Sequence, residues 1–164
     1  MNTKIRAAII TVSDSRTEAD DVSGKTLARL FREMNAEIVE QMIVSDDLED
    51  LRQTLYMLTE SPDINLIATI GGTGLSPRDN TPEATRSVLD REVPGIAEAM
   101  RAETLKFTPM AMLSRGVCGM RNGTLIVNFP GSPKGVEECF AVIRPVLQHA
   151  VELISGETLT HDGQ

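Results

Sequence analysis

The feature that most constrains the fold of this chain is a threefold alternation of β-rich segments with stretches that carry apolar residues at helical spacing. The β-rich segments are residues 7–12, 36–44 and 64–70, and each ends in a cluster of Ser, Asp or Gly. A short apolar run such as the first is typical of a strand buried on both faces. This alternation predicts a parallel sheet with helices on both faces, and therefore a three-layer α/β/α protein.

Helix-start signals follow the second and third predicted strands. Ser45 or Asp46 is expected to cap the helix after the second strand, because short oxygen-bearing side chains accept hydrogen bonds from the first amides of a helix. Thr81 is expected to cap the next helix, with Pro82 at its first helical position. Pro94 opens a further predicted helix. These helices supply the outer layers of the predicted fold.

The C-terminal third indicates a hairpin and a long final helix. Residues 115–120 and 124–128 are expected to form two strands, because Asn122-Gly123 between them is a strong hairpin signal. Residues 134–154 then carry a long helical pattern that starts after Pro133. The predicted fold is thus a mostly parallel central sheet plus a C-terminal β-hairpin.

The size and composition of the chain limit its function. With 164 residues and no internal repeat or linker, the chain is expected to form one domain over residues 1–164, with 156–164 as a polar tail. A net charge of −8 and an aromatic content of 3% without Trp argue against binding to nucleic acid. No apolar run is long enough to span a membrane. Two cysteines and no visible signal peptide favour a cytoplasmic location.

Polar clusters at the ends of the predicted strands are the candidate functional residues. In open α/β sheets, ligands bind beyond the carboxyl ends of the strands, so these clusters are expected to form one composite site. For the first two clusters, an equally good interpretation is that they only form turns and helix caps. The candidates outside the glycine-rich loop are Ser13, Asp14, Ser15, Asp46, Asn128, Pro130 and Gly131.

The loop after the third strand, Gly71-Gly72-Thr73-Gly74, is expected to bind phosphate. Glycine allows positive φ and close approach of the backbone to a ligand, and free amide groups beside a helix start stabilise an anion. The loop has neither the Gly-Lys-Ser/Thr of a Walker A motif nor the spacing of a dinucleotide fingerprint. Arg78 could add a bidentate phosphate contact.

Asp79 is a carboxylate within this predicted anion site, where its charge would repel phosphate. It either caps the following helix or holds a divalent metal against the phosphates. The metal interpretation gains weight from Asp46, which follows the neighbouring strand. Two carboxylates plus substrate phosphates are a usual environment for Mg²⁺.

Several motifs occur together in an order that resembles the MoaB/Mog family of molybdenum cofactor biosynthesis, which includes the Mog-like domains of gephyrin. The resemblance covers about residues 5–154. The motifs are Thr11-Val12-Ser13-Asp14-Ser15, Gly71-Gly72-Thr73-Gly74, Pro77-Arg78-Asp79, Thr81-Pro82-Glu83-Ala84-Thr85, Met112-Leu113-Ser114-Arg115 and Leu125-Ile126-Val127-Asn128-Phe129-Pro130-Gly131.

The resemblance implies molybdopterin adenylyltransferase activity with Mg²⁺, in which molybdopterin and ATP are substrates. It assigns essential acids to Asp46 and Asp79, and places Ser114 and Asn128 in the lining of the ligand site. Relatives often carry Pro-Asp where this chain has Ser45-Asp46-Asp47, so Asp47 is an alternative to Asp46. A non-catalytic molybdopterin-binding or scaffold protein of the same family is the alternative function.

The resemblance also implies a homo-oligomer, either a trimer or a hexamer, and contacts with other molybdenum cofactor biosynthesis proteins. Met and Ala residues between Met100 and Met120 agree with a self-association face. The same residues could equally complete the core of a monomer, because Met serves both purposes.

Overall fold

The computed structural model describes residues 3–156, and within them six strands form one mixed sheet. The strands are β1 (Arg6–Val12), β2 (Glu37–Val44), β3 (Leu66–Ile70), β4 (Arg91–Glu92), β5 (Cys118–Arg121) and β6 (Thr124–Phe129). The helices are α1 (Val22–Glu33), α2 (Leu48–Thr59), α3 (Thr81–Val88), α4 (Pro94–Thr104) and α5 (Pro133–Ser155), and a 3₁₀ turn spans Pro109–Leu113.

The sheet has the order β2-β1-β3-β6-β5-β4. Strands β2, β1, β3 and β6 are parallel, whereas β5 pairs antiparallel with both β6 and β4. Asn122 (φ 47°) and Gly123 (φ 80°) connect β5 to β6, and two successive positive φ angles are what a tight two-residue hairpin requires. The predicted parallel sheet with a C-terminal hairpin is confirmed.

Each face of the sheet has its own core. Alternate residues of β1 point to opposite faces, so that Ile9 packs with α1, α4 and α5 while Ile10 packs with α2 and α3. Phe31 of α1 and Phe140 of α5 meet edge to face in the first core, with ring centroids 5.5 Å apart. The three-layer α/β/α prediction is confirmed.

The predicted caps of α2 and α3 are wrong by one or two residues. Asp47, rather than Ser45 or Asp46, caps α2 by accepting from the amides of Glu49 and Asp50. At α3 the N-cap position belongs to Asn80, whose side chain makes no capping bond, and Thr81 is already helical. All three candidates have other partners: Asp46 accepts from the amide of Asp14, the Ser45 hydroxyl donates to Asp14 Oδ1, and the Thr81 hydroxyl donates to the carbonyl of Gly71.

Two short elements and one strand boundary were not predicted. Strand β4 and the 3₁₀ turn Pro109–Leu113 had no sequence prediction, and β5 begins at Cys118 rather than at residue 115. Residues 115–117 instead bond to the glycine-rich loop and to Asn128. The predicted polar tail lies outside the described residues beyond 156. Among residues 3–156, no helix has the length and apolar character needed to cross a membrane.

Candidate active site

The ends of β1 and β2 lie side by side and bring two predicted site residues together. The amide of Asp14 donates to Asp46 Oδ2 at 3.1 Å, and the amide of Asp46 donates back to Asp14 Oδ1 at 3.0 Å. The Ser45 hydroxyl also donates to Asp14 Oδ1, at 3.1 Å. This reciprocal pair fixes the spacing of two carboxylates at the sheet edge.

Ser13 and Ser15 have a local role in the same turn. The Ser13 hydroxyl accepts from the amides of Ser15 at 3.2 Å and Arg16 at 3.0 Å, which is the bonding of a polar turn. For these two serines, the structure shows the turn-forming role that the sequence left open. A ligand contact by either one stays a prediction.

The loop before α3 reaches the Asp14–Asp46 pair. Arg78 forms an ion pair with Asp14, with Nε donating to Asp14 Oδ2 at 3.1 Å, and Asn80 Nδ2 donates to the carbonyl of Asp46 at 3.1 Å. The guanidinium that was predicted to bind phosphate thus contacts a carboxylate. This ion pair is solvent-exposed, so phosphate could compete with Asp14 for Arg78 at little cost.

The two adjacent carboxylates differ in their electrostatics. Hydrogen bonds from the Asp46 amide and from Arg78 hold the pKa of Asp14 below its usual value. Partial burial, and then the charge of Asp14, raise the pKa of Asp46, and the charge of Asp79 acts in the same direction. The ionised form of Asp46 is therefore the destabilised one, and a cation at this point would relieve the repulsion.

The carboxylates fit a metal only if a substrate completes its coordination. Within residues 3–156 no cluster of three or more His, Cys, Asp or Glu could hold an ion. Asp46 and Asp79 interact electrostatically across the site, and Mg²⁺ is commonly held by one or two carboxylates together with phosphates and water. The residues present fit a Mg²⁺ that arrives with phosphate.

Hydrogen bonds from Thr81 and to Phe129 hold the glycine-rich loop in place. Gly71 and Gly72 adopt φ angles of 93° and 68°. Three bonds fix them: the Gly71 amide donates to Phe129 at 3.0 Å, and the Thr81 hydroxyl and amide donate to the carbonyls of Gly71 at 2.8 Å and Gly72 at 3.0 Å. Among the described residues, the amides of Gly72, Thr73 and Gly74 have no acceptor. Three unpaired amides in one turn are suited to phosphate oxygens.

Arg115 belongs to one of the motifs in the sequence, but no role for it was predicted. Its side chain donates to the carbonyls of Gly74 at 2.7 Å and Asp79 at 2.8 Å, and it pairs with Glu83 of α3. Its amide donates to the carbonyl of Thr73 at 2.8 Å. These partners lie more than thirty residues earlier in the chain, so no local pattern could have indicated them.

A pocket of about 300 Å³ lies beside the glycine-rich loop, between α4, α5 and the 3₁₀ turn. The residues that line it include Ser114, Asn128 and Pro130, which are predicted site residues, and also Lys134. A Cβ atom placed on Gly131, next to this pocket, would lie 3.5 Å from the Cα of Gly71, so pocket and loop adjoin. The pocket is large enough for a bicyclic ligand, and two cationic residues, Arg101 and Lys134, line it.

Asn128 shapes the pocket without offering its amide to a ligand. The side chain is 2% exposed, Nδ2 donates to the hydroxyls of Thr69 and Thr85, and Oδ1 accepts from the amide of Val117. Gly131 is also engaged, since its carbonyl accepts from Ser23 at 2.7 Å and Arg16 at 3.1 Å. Direct ligand contacts by these two residues stay predictions.

Fold and site together define an α/β protein with a glycine-rich loop that carries unpaired amides, two acids and an adjoining pocket at the carboxyl edge of its parallel strands. Residues 8–149 match the family model described as "Probable molybdopterin binding domain". The chain belongs to this molybdopterin-binding domain family, and the resemblance found in the sequence is confirmed.

Relatives and solved structures agree with this assignment. The molybdopterin adenylyltransferase of Helicobacter pylori strain J99 is 36% identical over 156 residues, covering 93% of this chain and 89% of the relative. The Drosophila melanogaster protein cinnamon, a molybdenum cofactor synthesis protein, is 40% identical over 157 residues, but the chain spans only 26% of its length. The MoaB structure from Thermus thermophilus superposes with a TM-score of 0.86 at 46% identity, over 93% of this chain and 97% of that one.

Proposed function

We propose that this protein catalyses Mg-ATP-dependent adenylylation of molybdopterin, releasing pyrophosphate. Its place in molybdenum cofactor biosynthesis follows from the family. The observation that carries the proposal is the position of Asp46 and Asp79 beside a loop with three unpaired amides. Relatives named molybdopterin adenylyltransferase that share 36% and 37% identity support the same reaction.

The proposed reaction needs positioned charges rather than a protein nucleophile. An oxygen of the terminal phosphate of molybdopterin forms a bond to the α-phosphorus of ATP, and the bond from that phosphorus to the β-phosphate bridging oxygen breaks. Pyrophosphate leaves with that electron pair. Mg²⁺ held by Asp46, Asp79 and phosphate oxygens would neutralise the charge on the leaving group. The amides of the glycine-rich loop would hold phosphate oxygens in line.

Asp46 is our choice over Asp47 as the functional acid. The carboxylate of Asp47 caps α2 by accepting hydrogen bonds from helix amides. The carboxylate of Asp46 instead interacts with the charges of Asp14 and Asp79, and its pKa is raised. Asp79 is not the cap of α3, because its Oδ2 accepts from the amide of Ser76 at 3.0 Å. The pocket between α4 and α5 would receive the pterin, with Ser114 and Lys134 as polar contacts.

The decisive experiment incubates the protein with molybdopterin, ATP and Mg²⁺ and measures pyrophosphate. Asp79→Asn should leave the melting temperature nearly unchanged, lower turnover by about a hundredfold, and spare molybdopterin binding. Asp47→Asn is the control and should turn over normally, since Asn caps a helix about as well as Asp. Folded wild-type protein that binds molybdopterin but releases no pyrophosphate would instead indicate the non-catalytic, scaffold function.

We further propose a trimer-based homo-oligomer, either a trimer or a hexamer. The support is a group of exposed apolar side chains between α4 and the 3₁₀ turn and within that turn, defined here as the apolar turn: Phe107, Met110, Met112 and Leu113. Such a concentration of exposed apolar area is typical of an interaction face. Contacts with other molybdenum cofactor biosynthesis proteins, which the family resemblance implies, also remain a proposal.

The single domain and the cytoplasmic location also remain proposals. One family model matching residues 8–149 supports one domain over residues 1–164. Cys118 and Cys139 are both free thiols, which agrees with a reducing compartment.

A further inference from the structure

Arg115 lies between the 3₁₀ turn and β5, and its side chain bridges both ends of the segment that carries Asp79. Nε donates to the carbonyl of Gly74 at 2.7 Å, and Nη2 donates to the carbonyl of Asp79 at 2.8 Å. The backbone amide of Arg115 adds a bond to the carbonyl of Thr73 at 2.8 Å. One residue thus fixes the loop from the last glycine to the site carboxylate.

The guanidinium is itself anchored to a helix. Its Nη1 pairs with the carboxylate of Glu83 in the first turn of α3, and Nη2 reaches the other carboxylate oxygen at 3.5 Å. The hydrogen bond from Arg115 lowers the pKa of Glu83, so Glu83 stays ionised and keeps its partner. The loop is therefore connected to α3 through a side chain that is 34% exposed.

A bidentate phosphate contact by Arg115 conflicts with this bonding. Four of the five N–H groups of its guanidinium already have a protein partner, so a second phosphate oxygen could bind only by displacing a carbonyl of Gly74 or Asp79 or the carboxylate of Glu83. A displaced carbonyl that finds no other donor is unfavourable, because its desolvation is no longer compensated. The geometry of the planar guanidinium fork matches three partners at fixed angles, which a lysine ammonium cannot reproduce.

We infer that Arg115 is a positioning residue, which holds residues 74–79 so that the carboxylate of Asp79 stays in place for the reaction. This inference rests on the proposed adenylylation. The free amides of Gly72 and Thr73 are fixed separately, through the bonds of Thr81 to the glycine carbonyls. Loss of the bridge should therefore disturb the chemical step more than ATP binding.

The test compares Arg115→Lys, which keeps the charge, with Arg115→Gln. Amide hydrogen exchange of residues 74–79 should accelerate at least about tenfold in both variants. The kcat for pyrophosphate release should fall about 10–100-fold, while KM for ATP changes less than about threefold. Arg86→Gln is the matched control, because Arg86 of helix α3 forms its ion pair with exposed Glu92 rather than with the loop, and it should match the wild type in both measurements.

The outcomes separate this inference from the proposed function. If Arg115→Lys shows the same hydrogen-exchange and turnover rates as the wild type, the positioning role is overturned, but the proposed adenylylation is not affected. About a tenfold rise in KM for ATP with unchanged kcat would also overturn it, because that pattern indicates a direct contact with ATP.

If the wild type releases no pyrophosphate, the proposed adenylylation fails, and hydrogen exchange still decides whether Arg115 fixes the loop. If Arg115→Gln does not fold, Glu83→Gln replaces it and should show a weaker acceleration of exchange in the same segment.

Discussion

Asp46 and Asp47 are adjacent in the sequence, but their carboxylates have different surroundings and different roles. Asp47 Oδ1 accepts from the amides of Glu49 at 3.1 Å and Asp50 at 3.0 Å, so its charge is stabilised at a helix start. Asp46 is partly desolvated and faces other carboxylates, so its charge is destabilised. Substitutions at the two positions should therefore differ in their effects on stability and on turnover.

Asp46→Asn is expected to impair function without loss of stability. The pKa of Asp46 is raised in the folded state above its ordinary value of 3.8. Asp46 therefore stabilises the fold below pH 3.8, where it is protonated, and this stabilisation is lost as the pH rises through the folded pKa. At neutral pH the carboxylate is thus a net cost, which Asn removes. Thermal melts should show an unchanged or slightly higher melting temperature, and turnover should fall about a hundredfold.

The comparison variant for this prediction is Asp47→Ala. Loss of the cap should lower the free energy of unfolding by about 1 kcal/mol while turnover of the folded protein is retained. A lower melting temperature for Asp46→Asn, or lost turnover in Asp47→Ala, would contradict the assignment of Asp46 to function and of Asp47 to the cap of α2.

The two cysteines are expected to be unreactive in the folded protein. Burial raises the pKa of both Cys118 and Cys139 to about 12. At pH 8 only about one thiol in ten thousand would then be ionised, and the thiolate is the reactive form. A thiol reagent should label neither residue until denaturant is added. Rapid labelling of Cys139, which borders the pocket, in native protein would show that α5 opens there.

At the scale of the element, the glycine-rich loop depends on Gly72 having no side chain. A Cβ atom at this position would lie 2.3 Å from the Thr81 hydroxyl, and φ is +68°. Gly72→Ala must therefore strain the loop and displace the bonds that order it. We expect a loss of about 1–2 kcal/mol in unfolding free energy, measured by urea denaturation, together with weaker ATP binding.

Gly95 provides the matched control for this substitution. It lies in the first turn of α4, and a Cβ atom there would have no neighbour within 4 Å. Gly95→Ala should raise stability by about 0.5–1 kcal/mol and leave ATP binding unchanged. Equal behaviour of the two variants would show that the loop tolerates a side chain and is not held as described.

Elements whose signal is local were predictable from the sequence. Strand β1 and helix α5 carry long, uniform patterns, and the Asn122-Gly123 hairpin has its signal in two residues. Strand β4 was missed because it consists of two exposed charged residues, which have no periodicity. Its pairing with β5 depends on tertiary contact alone.

The candidate site was predictable in its location but not in its contacts. Strand ends in a parallel sheet meet at one edge, so Asp14, Asp46 and the glycine-rich loop were expected together, and they are. Pairing of Arg78 with Asp14 and of Arg115 with Glu83 depends on how loops fold over that edge. Adjacent cap candidates such as Asp46 and Asp47 differ by too little locally for the sequence to separate them.

At the scale of the whole molecule, the site and the apolar turn share one region of the surface. Phe107 and Met110 line the pocket beside the glycine-rich loop and also belong to the apolar turn. Phe107 and Met112 are 66% and 67% exposed, although both are large apolar side chains. A second copy of the chain packed on the apolar turn would cover this area and border the pocket.

The final prediction tests self-association by placing charge on that surface. In sedimentation at micromolar concentration, the wild type should behave as a species larger than the 17.9 kDa chain. Met112→Asp should shift it toward the monomer, because a buried unpaired carboxylate opposes association strongly. Met57→Asp is the control, since Met57 of α2 is 61% exposed but lies outside the apolar turn, and it should leave the larger species intact. A wild type that sediments only as the single chain, or a Met57→Asp variant that dissociates as readily as Met112→Asp, would reject the apolar turn as the contact between copies.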